Sequence, residues 1–261
     1  MRIALGIEYH GGNYCGWQSQ PSGCGIQDHV EKALSAFIAQ PGAPVSVTCA
    51  GRTDAGVHAL HQVVHLESSV SRDPVSWVRG VNAQLPRDVR VLWSRAVSDD
   101  FHARFSARSR TYRYILLNDP VEPGMMRGLV GWFHQPLDVH AMRDAAALLV
   151  GEHDFSAFRA AECQAKSPVK NLQAALIERR DNYISFEFTA NAFLHHMIRN
   201  LVGALVYVGA GRHSVEVFQQ IFVSRNRTLA APTFAPDGLY LADIKYDESF
   251  KLPHATGRWP Y

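Results

Sequence analysis

The chain has 261 residues, of which 47% are hydrophobic and 19% charged, and its formal net charge is +2. Such a composition builds a substantial core and excludes a disordered chain or an overall polycation, so a polyanionic partner has to be met by local patches. Cys15, Cys24, Cys49 and Cys163 form no CxxC pair, and a chain with this much core has little need of disulfides, so a reducing compartment is expected. The opening "MRIALGIEYH" reaches Glu8 after an apolar run too short for a secretory leader, and no later segment approaches a membrane-spanning length. The expectation is a cytoplasmic protein with no membrane partner.

In chain order, "RIALGIEY" reads as a strand, and "GIQDHVEKALSAFI" spaces Ile26, Val30, Ala33, Leu34 and Phe37 along one helical face. A strand at "VSVTCA" leads into the connection "CAGRTDAGVHAL", and "HQVVHLE" resumes strand character. Asp73 and Pro74 offer a cap and a first-turn proline for a helix carrying Val78 and Val81, and "DVRVLWSRAV" is a further strand. The order β-α-β-β-α-β is that of a ferredoxin-like unit. A comparable order follows: a strand at "STYRYILLN", a helix at "HAMRDAAALLVG", and strands at "LQAALIERR" and "YISFEFTA" joined around Asp181 and Asn182. A long helix from about Phe193 and a late strand at "GLYLADIKY" complete it. The pattern predicts two related α/β halves, 1–105 and 106–261. The loops "MMRGLVGWFHQP" and "SAFRAAECQAKSPVK" are long enough to reach over a cleft, although plain surface connections have the same composition.

The chemistry starts at "GRTDAGVHAL", where Arg52 and Asp54 project from a glycine-bounded connection between strands. An ordinary turn in which Asp54 caps amides and Arg52 neutralises it fits these residues. So does a reactive centre, because a rigid sheet fixes groups at a strand end while leaving them accessible. An ionised Asp54 acting as nucleophile or base needs a cation that does not take its proton. Arg199 is such a cation on a core-forming helix, where Met197, Leu201, Ala204 and Val208 continue an apolar stripe from Phe193, and His195 shares the face of Arg199 by four-residue spacing. His195 and His196 turn in different directions on a helix, and neither HExxH nor a compact Cys/His set is present, so no catalytic metal is expected. His58 and His61 flank the Asp54 connection as substrate contacts or as orienting groups. There is no GxGxxG, no GxxxxGK[ST] and no GxSxG, which removes dinucleotide, nucleotide-phosphate and serine-hydrolase readings. The stretch "FHARFSARSRTYRYILLN" carries Arg104, Arg108, Arg110 and Arg113 without an acid and interleaves Phe105, Tyr112 and Tyr114. It suits phosphate contact and base stacking, and an arginine-rich edge strand looks similar.

Taken together, "AGRTDAGVHA", "FHARFSARSRTYRY", "EHDFSAF", "NAFLHHMIRNLVGAL" and "APTFAPDGLYLADIKY" closely resemble the tRNA pseudouridine synthase A family, in an order covering nearly the full chain. The resemblance implies an α/β pseudouridine synthase fold, two ferredoxin-like βαββαβ halves around a central antiparallel sheet, assembled as a homodimer. It also implies isomerisation of uridine in the tRNA anticodon stem-loop, around positions 38 to 40, without organic cofactor or catalytic metal. By the same resemblance Asp54 is the catalytic aspartate, Arg52 the arginine that displaces the target base, Tyr112 the active-site tyrosine and Arg199 the cation associated with the aspartate. Arg104, Arg108 and Arg110 are the candidates for RNA contact, with Arg113 supporting the sheet beside Tyr112. Two other classes fit parts of the pattern: an RNA-binding module that does not need Asp54, and an Asp-dependent nucleosidase that releases free uracil.

Overall fold

The computed structural model describes residues 1–38 and 45–255. They divide between two compact units, one of Met1–Arg110 with the chain from Tyr240 onward and one of Thr111–Leu239.

In the first unit, β1 (Arg2–Tyr9) is an internal strand. It pairs antiparallel with β3 (His58–Glu67) through Leu5↔Val64 and with β4 (Val89–Val97) through Leu5↔Ser94. Because ladders run along both its edges, β1 is buried almost throughout and reads as a continuous apolar run. Only Thr48–Cys49 of the expected strand at 45–50 joins the sheet, as β2 against β3. The late strand β10 (Leu239–Lys245) lies parallel to β3, with Tyr240 opposite His58 and Leu241 opposite Ala59. That pairing is why the chain from Tyr240 belongs with the first unit.

Helix α1 (Ile26–Ile38) buries Ile26, Val30, Ala33, Leu34 and Ile38. Phe37, expected on that stripe, is half-buried and meets Trp77 edge-on at 5.2 Å, with Arg72 4.4 Å over its ring. Helix α2 (Pro74–Asn82) begins as expected, the Asp73 carboxylate accepting from the Ser76 N–H and Pro74 occupying the first turn. Its buried pair is Trp77 and Val81, four residues apart; Val78 is half-buried on the flank.

Cys15 and Cys24 are joined, which corrects the expectation of four free thiols; Cys49 and Cys163 remain free. The connection after β1 folds back on itself so that the Cys15 N–H donates to the Cys24 carbonyl at 3.1 Å, bringing the two Cα atoms to 5.5 Å.

The second unit carries β5 (Ser109–Asn118), β6 (Gly131–Phe133), β7 (Gly151–Asp154), β8 (Val169–Arg180) and β9 (Tyr183–Ala190), in the order β5-β9-β8-β7 with β6 parallel to β5. The β8–β9 hairpin turns at Asp181 and Asn182 as the sequence predicts, with Asp181 in the left-handed region at φ 53°. Helix α3 (Val139–Ala147) is capped by Asp138 and packs on β8, where the Arg143 guanidinium donates to the Ile177 carbonyl at 2.7 Å.

The helix expected from Phe193 starts later: α4 runs Met197–Gly209, preceded by His196 at φ 59°. The backbone before it is tied elsewhere, His195 accepting from the Ala160 N–H at 3.1 Å and donating its own N–H to the Cys163 sulfur at 3.3 Å. His195 therefore shares no helical face with Arg199, and the two histidines, outside the helix, lie with ring centroids 4.0 Å apart. A further helix, α5 (Val215–Ser224), follows the Ser214 cap and buries Phe218, Ile221 and Phe222. Among the described residues, no helix is long and apolar enough to cross a membrane.

Asn200 ties α4 to its surroundings. Its side chain is 1% exposed, its amide donates to the Phe158 carbonyl at 2.8 Å, and its carbonyl accepts from Arg227 at 3.0 Å and Thr233 at 2.7 Å. Asn200→Ala leaves the buried Phe158 carbonyl without that donor and removes an acceptor from Arg227 and Thr233, and we expect a loss of about 1–2 kcal/mol of stability. A drop in urea midpoint at constant slope measures it; an unchanged midpoint disproves the role.

Candidate active site

Asp54 sits on the connection between β2 and β3, and two backbone hydrogen bonds and one side-chain contact define its position. The Thr53 carbonyl accepts from the Trp17 N–H at 3.0 Å, the Thr53 hydroxyl meets the Tyr9 hydroxyl at 2.8 Å, and the Asp54 carbonyl accepts from the Val57 N–H at 3.1 Å. The last bond closes a turn with Gly56 at φ 80°, a conformation that favours glycine. Gly16, at φ 92°, lets a second backbone approach: a Cβ there stands 2.7 Å from the Thr53 carbonyl oxygen and 3.0 Å from the Asp54 carbonyl carbon. The Asp54 residue is left half-buried and Arg52 exposed, with Thr53 between them turned inward.

β3, which leaves this loop, carries three buried histidines. His58 accepts from the Gly11 N–H through Nδ1 at 3.0 Å and stacks on Tyr240 at 4.7 Å. His61 accepts from the Trp93 indole N–H at Nε2 and therefore donates from Nδ1 to Asp243, both at 3.1 Å. Burial works against the Asp243 carboxylate, but the His61 hydrogen bond holds its pKa below the ordinary value. These contacts give His58 and His61 orienting roles and fix the strand that feeds the Asp54 loop.

The basic stretch divides by burial. Arg104 and Arg108 are exposed, Arg108 pairing with Asp247. Arg110 is buried, and its guanidinium donates to three carbonyls, Ala50 at 3.0 Å, Arg104 at 2.6 Å and Ala107 at 3.2 Å. It thus joins the root of the Asp54 loop to the basic stretch, and a guanidinium so engaged is turned away from solvent phosphate. Burial pushes the Cys49 thiol up to about 11 against the pull of Arg52 and Arg104.

In the second unit, Tyr112 is buried on β5 with Phe193 edge-on at 5.1 Å. Beside it Arg113 pairs with Glu187 at 2.5 Å, and Thr111 with Thr189 at 2.8 Å, so Arg113 supports the sheet. Arg199 is half-buried; its Nε donates to the Phe234 carbonyl at 2.8 Å, and its own carbonyl accepts from the Phe234 N–H at 3.2 Å.

Residues 6–106 and 145–247 match the family model described as tRNA pseudouridine synthase. The chain is 57% identical over 261 residues to the tRNA pseudouridine synthase A of Thiobacillus denitrificans, covering all of this chain and 99% of that one. It is 56% identical over 256 residues to that of Methylibium petroleiphilum, covering 98% and 97% of the two. The chain belongs to the tRNA pseudouridine synthase family. It is an RNA-uridine isomerase, which converts uridine to pseudouridine.

In this pseudouridine synthase the residues that sequence patterns did not single out are supporting ones: Tyr9 and Gly16 against the Asp54 loop, Asn200 beneath Arg199, and His65 beneath the basic stretch. Gly16 was the most readable, since a glycine between Cys15 and Trp17 marks either a turn or a close backbone approach. His65 accepts from the Ala103 N–H through Nδ1 at 3.1 Å, and burial, with the charges of His102 and Arg2, pulls its pKa from 6.5 down to about 4. In the unfolded chain His65 protonates near 6.5, so between 6.5 and about 4 the unfolded state holds the additional proton, and stability falls as pH drops through that window. His65→Asn keeps an acceptor for the Ala103 N–H and removes the titration. We expect it to flatten the pH dependence of the urea midpoint across that window; an unchanged slope rejects the assignment.

Proposed function

We propose that this enzyme acts on uridines of the anticodon stem-loop of tRNA, around positions 38 to 40, as a cytoplasmic homodimer needing neither organic cofactor nor catalytic metal. The observation that carries the site assignment is the Asp54 loop, where a half-buried carboxylate residue follows a buried threonine at the end of a strand fixed on both edges. The cytoplasmic location follows from the substrate; the bonded pair Cys15–Cys24 is uncommon in a reducing compartment and argues the other way.

Isomerisation breaks the N1–C1′ bond, turns the retained uracil and joins C5 to C1′, with the C5 proton lost and N1 taking one up. Asp54 either attacks the sugar at C1′ or abstracts one of its protons, and both need the ionised carboxylate. Arg199 is, by the family resemblance, the cation associated with that carboxylate. The target base has to leave its stack, which costs a few kcal/mol. Arg52, exposed two residues before Asp54, has the planar guanidinium to occupy the space left behind. Tyr112 either stacks on the detached uracil or helps move the proton at C5. Arg104 and Arg108 meet phosphates, and contacts from two subunits read the arm by shape.

The test uses tRNA tritiated at uracil C5. Wild type releases tritium and leaves pseudouridine in the RNA; free uracil in the products redirects the assignment to a nucleosidase. Asp54→Asn, near-isosteric but without the carboxylate, is expected to lower release by at least about a hundred-fold while tRNA binding persists. Near-normal release by that variant removes Asp54 from the chemistry. Tyr112→Phe keeps the ring and loses the hydroxyl, so single-turnover release is expected to slow far more than binding weakens. Unchanged release leaves Tyr112 with stacking alone.

A further inference from the structure

Residues 101–106 form a tip whose polar backbone is satisfied internally. The Ser106 N–H donates to the His102 carbonyl at 2.9 Å, and the Ser106 hydroxyl accepts from the His102 N–H at 2.9 Å. The His102 Nδ1 accepts from the N–H groups of Arg104 and Phe105, both at 3.2 Å. Below, Phe101 is fully buried, and Ala103 is held from both sides, its N–H donating to His65 at 3.1 Å and its carbonyl accepting from the Tyr246 hydroxyl at 2.6 Å. The tip's backbone is well tied, yet one of its two phenylalanines points outward: Phe105 is 76% exposed. One face of its ring is stacked on His102 at 4.3 Å, and the Arg104 guanidinium stands 5.7 Å from the ring centre.

We propose that Phe105, backed by His102 and flanked by Arg104, is a stacking platform for an unpaired nucleobase next to the target uridine. The inference rests on the RNA-uridine reading of the Asp54 loop and deepens it. Exposing a large aromatic ring in a tip this well ordered wins no folding energy, and the backing histidine holds the ring flat for a planar guest. The flanking cations choose the guest: Arg104 and Arg108 are exposed in the same stretch and Arg104 lies beside the ring, so the planar partner is one that carries phosphate. Distance to the chemistry is fixed as well. Arg110 donates to the Arg104 carbonyl at 2.6 Å and to the Ala50 carbonyl at 3.0 Å, so the platform and the Asp54 loop move as one piece. A base stacked on Phe105 is thereby held in register with the uridine presented to Asp54, as one unpaired nucleotide beside another.

The experiment compares wild type, Phe105→Ala and Phe105→Trp, as full chains, on an unmodified anticodon stem-loop RNA with 2-aminopurine replacing the base beside the target. Stacking on an aromatic side chain predicts a loss in RNA affinity of about ten-fold or more for Phe105→Ala. The larger share of the kinetic loss falls on KM, the 2-aminopurine quenching disappears, and Phe105→Trp restores both. Unchanged affinity and quenching in Phe105→Ala, with wild type still forming pseudouridine, overturns the platform and leaves the catalytic reading intact. Phe105-dependent quenching with no pseudouridine from wild type keeps the platform and overturns the catalytic reading. If Phe105→Ala leaves RNA affinity unchanged but lowers the sedimenting mass, the ring is a contact between copies of the chain, and the platform is wrong.

Discussion

The Arg110 guanidinium is the fixed point on which the basic stretch and the Asp54 loop both depend. Burying an arginine is unfavourable by several kcal/mol unless its donors are satisfied, and here three carbonyls satisfy them. None of those carbonyls lies in a ladder with a neighbouring strand to hold it: Ala50 follows β2 after a two-residue pairing, and Arg104 and Ala107 belong to irregular chain. One cation thus joins two irregular loops to each other, each of which has further bonds to the sheet. The same reasoning separates Arg110 from its neighbours in the sequence. Arg104, Arg108 and Arg110 look alike as residues in a basic run, but Arg110 lies within β5 and is buried, whereas Arg104 and Arg108 precede the strand on exposed irregular chain, which Arg110 helps to order.

A second constraint is the density of buried histidine on β3. His58, His61 and His65 stand on a strand with ladders along both edges, where each imidazole must find specified partners or remain an uncompensated polar group. Each does so with a group from outside its own strand: the Gly11 amide, the Trp93 indole with Asp243, and the Ala103 amide. An apolar strand would have packed as tightly without selecting those partners. The polar contacts tie β4, β10, the Gly11 turn and the Ala103 tip to the strand that leaves Asp54, which is the kind of support a loop carrying reactive groups requires.

Much of this was legible in the sequence because it follows from local periodicity and turn chemistry. The β-α-β-β-α-β order of the first unit, the Asp73–Pro74 helix start and the Asp181–Asn182 hairpin need no tertiary information. The misreadings occur where distant chain decides. The apolar stripe through Met197 and Leu201 extrapolates back to Phe193, but the Ala160 amide and the Cys163 sulfur claim the backbone of His195 and break the helix at His196. Helix α5 was readable from the Ser214 cap and the i, i+3, i+4 spacing of Phe218, Ile221 and Phe222, and went unread beside the stronger stripe of α4. For the candidate site, the motif identified Arg52 and Asp54, whereas the partners that set their position are single residues scattered from Tyr9 to Tyr246. No spacing rule links those.

The Cys15–Cys24 pair belongs to the same architecture. It closes a loop whose first residues are also the ones that touch the Asp54 turn: Gly16 approaches the Thr53 and Asp54 backbone, and the Trp17 N–H donates to Thr53. The same two residues lead into α1, because the Ile26 N–H donates to the Gly16 carbonyl at 3.1 Å and the Gln27 N–H to the Trp17 carbonyl at 2.9 Å. Residues 16 and 17 are thus held between a helix start on one side and the Asp54 turn on the other. Any displacement of the cross-linked loop has to break bonds to one of them. The Asp54 loop is braced from two directions, by Gly16 and Trp17 at Thr53 and by Arg110 at Ala50, and the residues between those braces are Gly51 and Arg52. Arg52 is left as the exposed side chain on a short span fixed at both ends, which is what a guanidinium must have if it is to enter a base stack while the backbone beneath it stays in place.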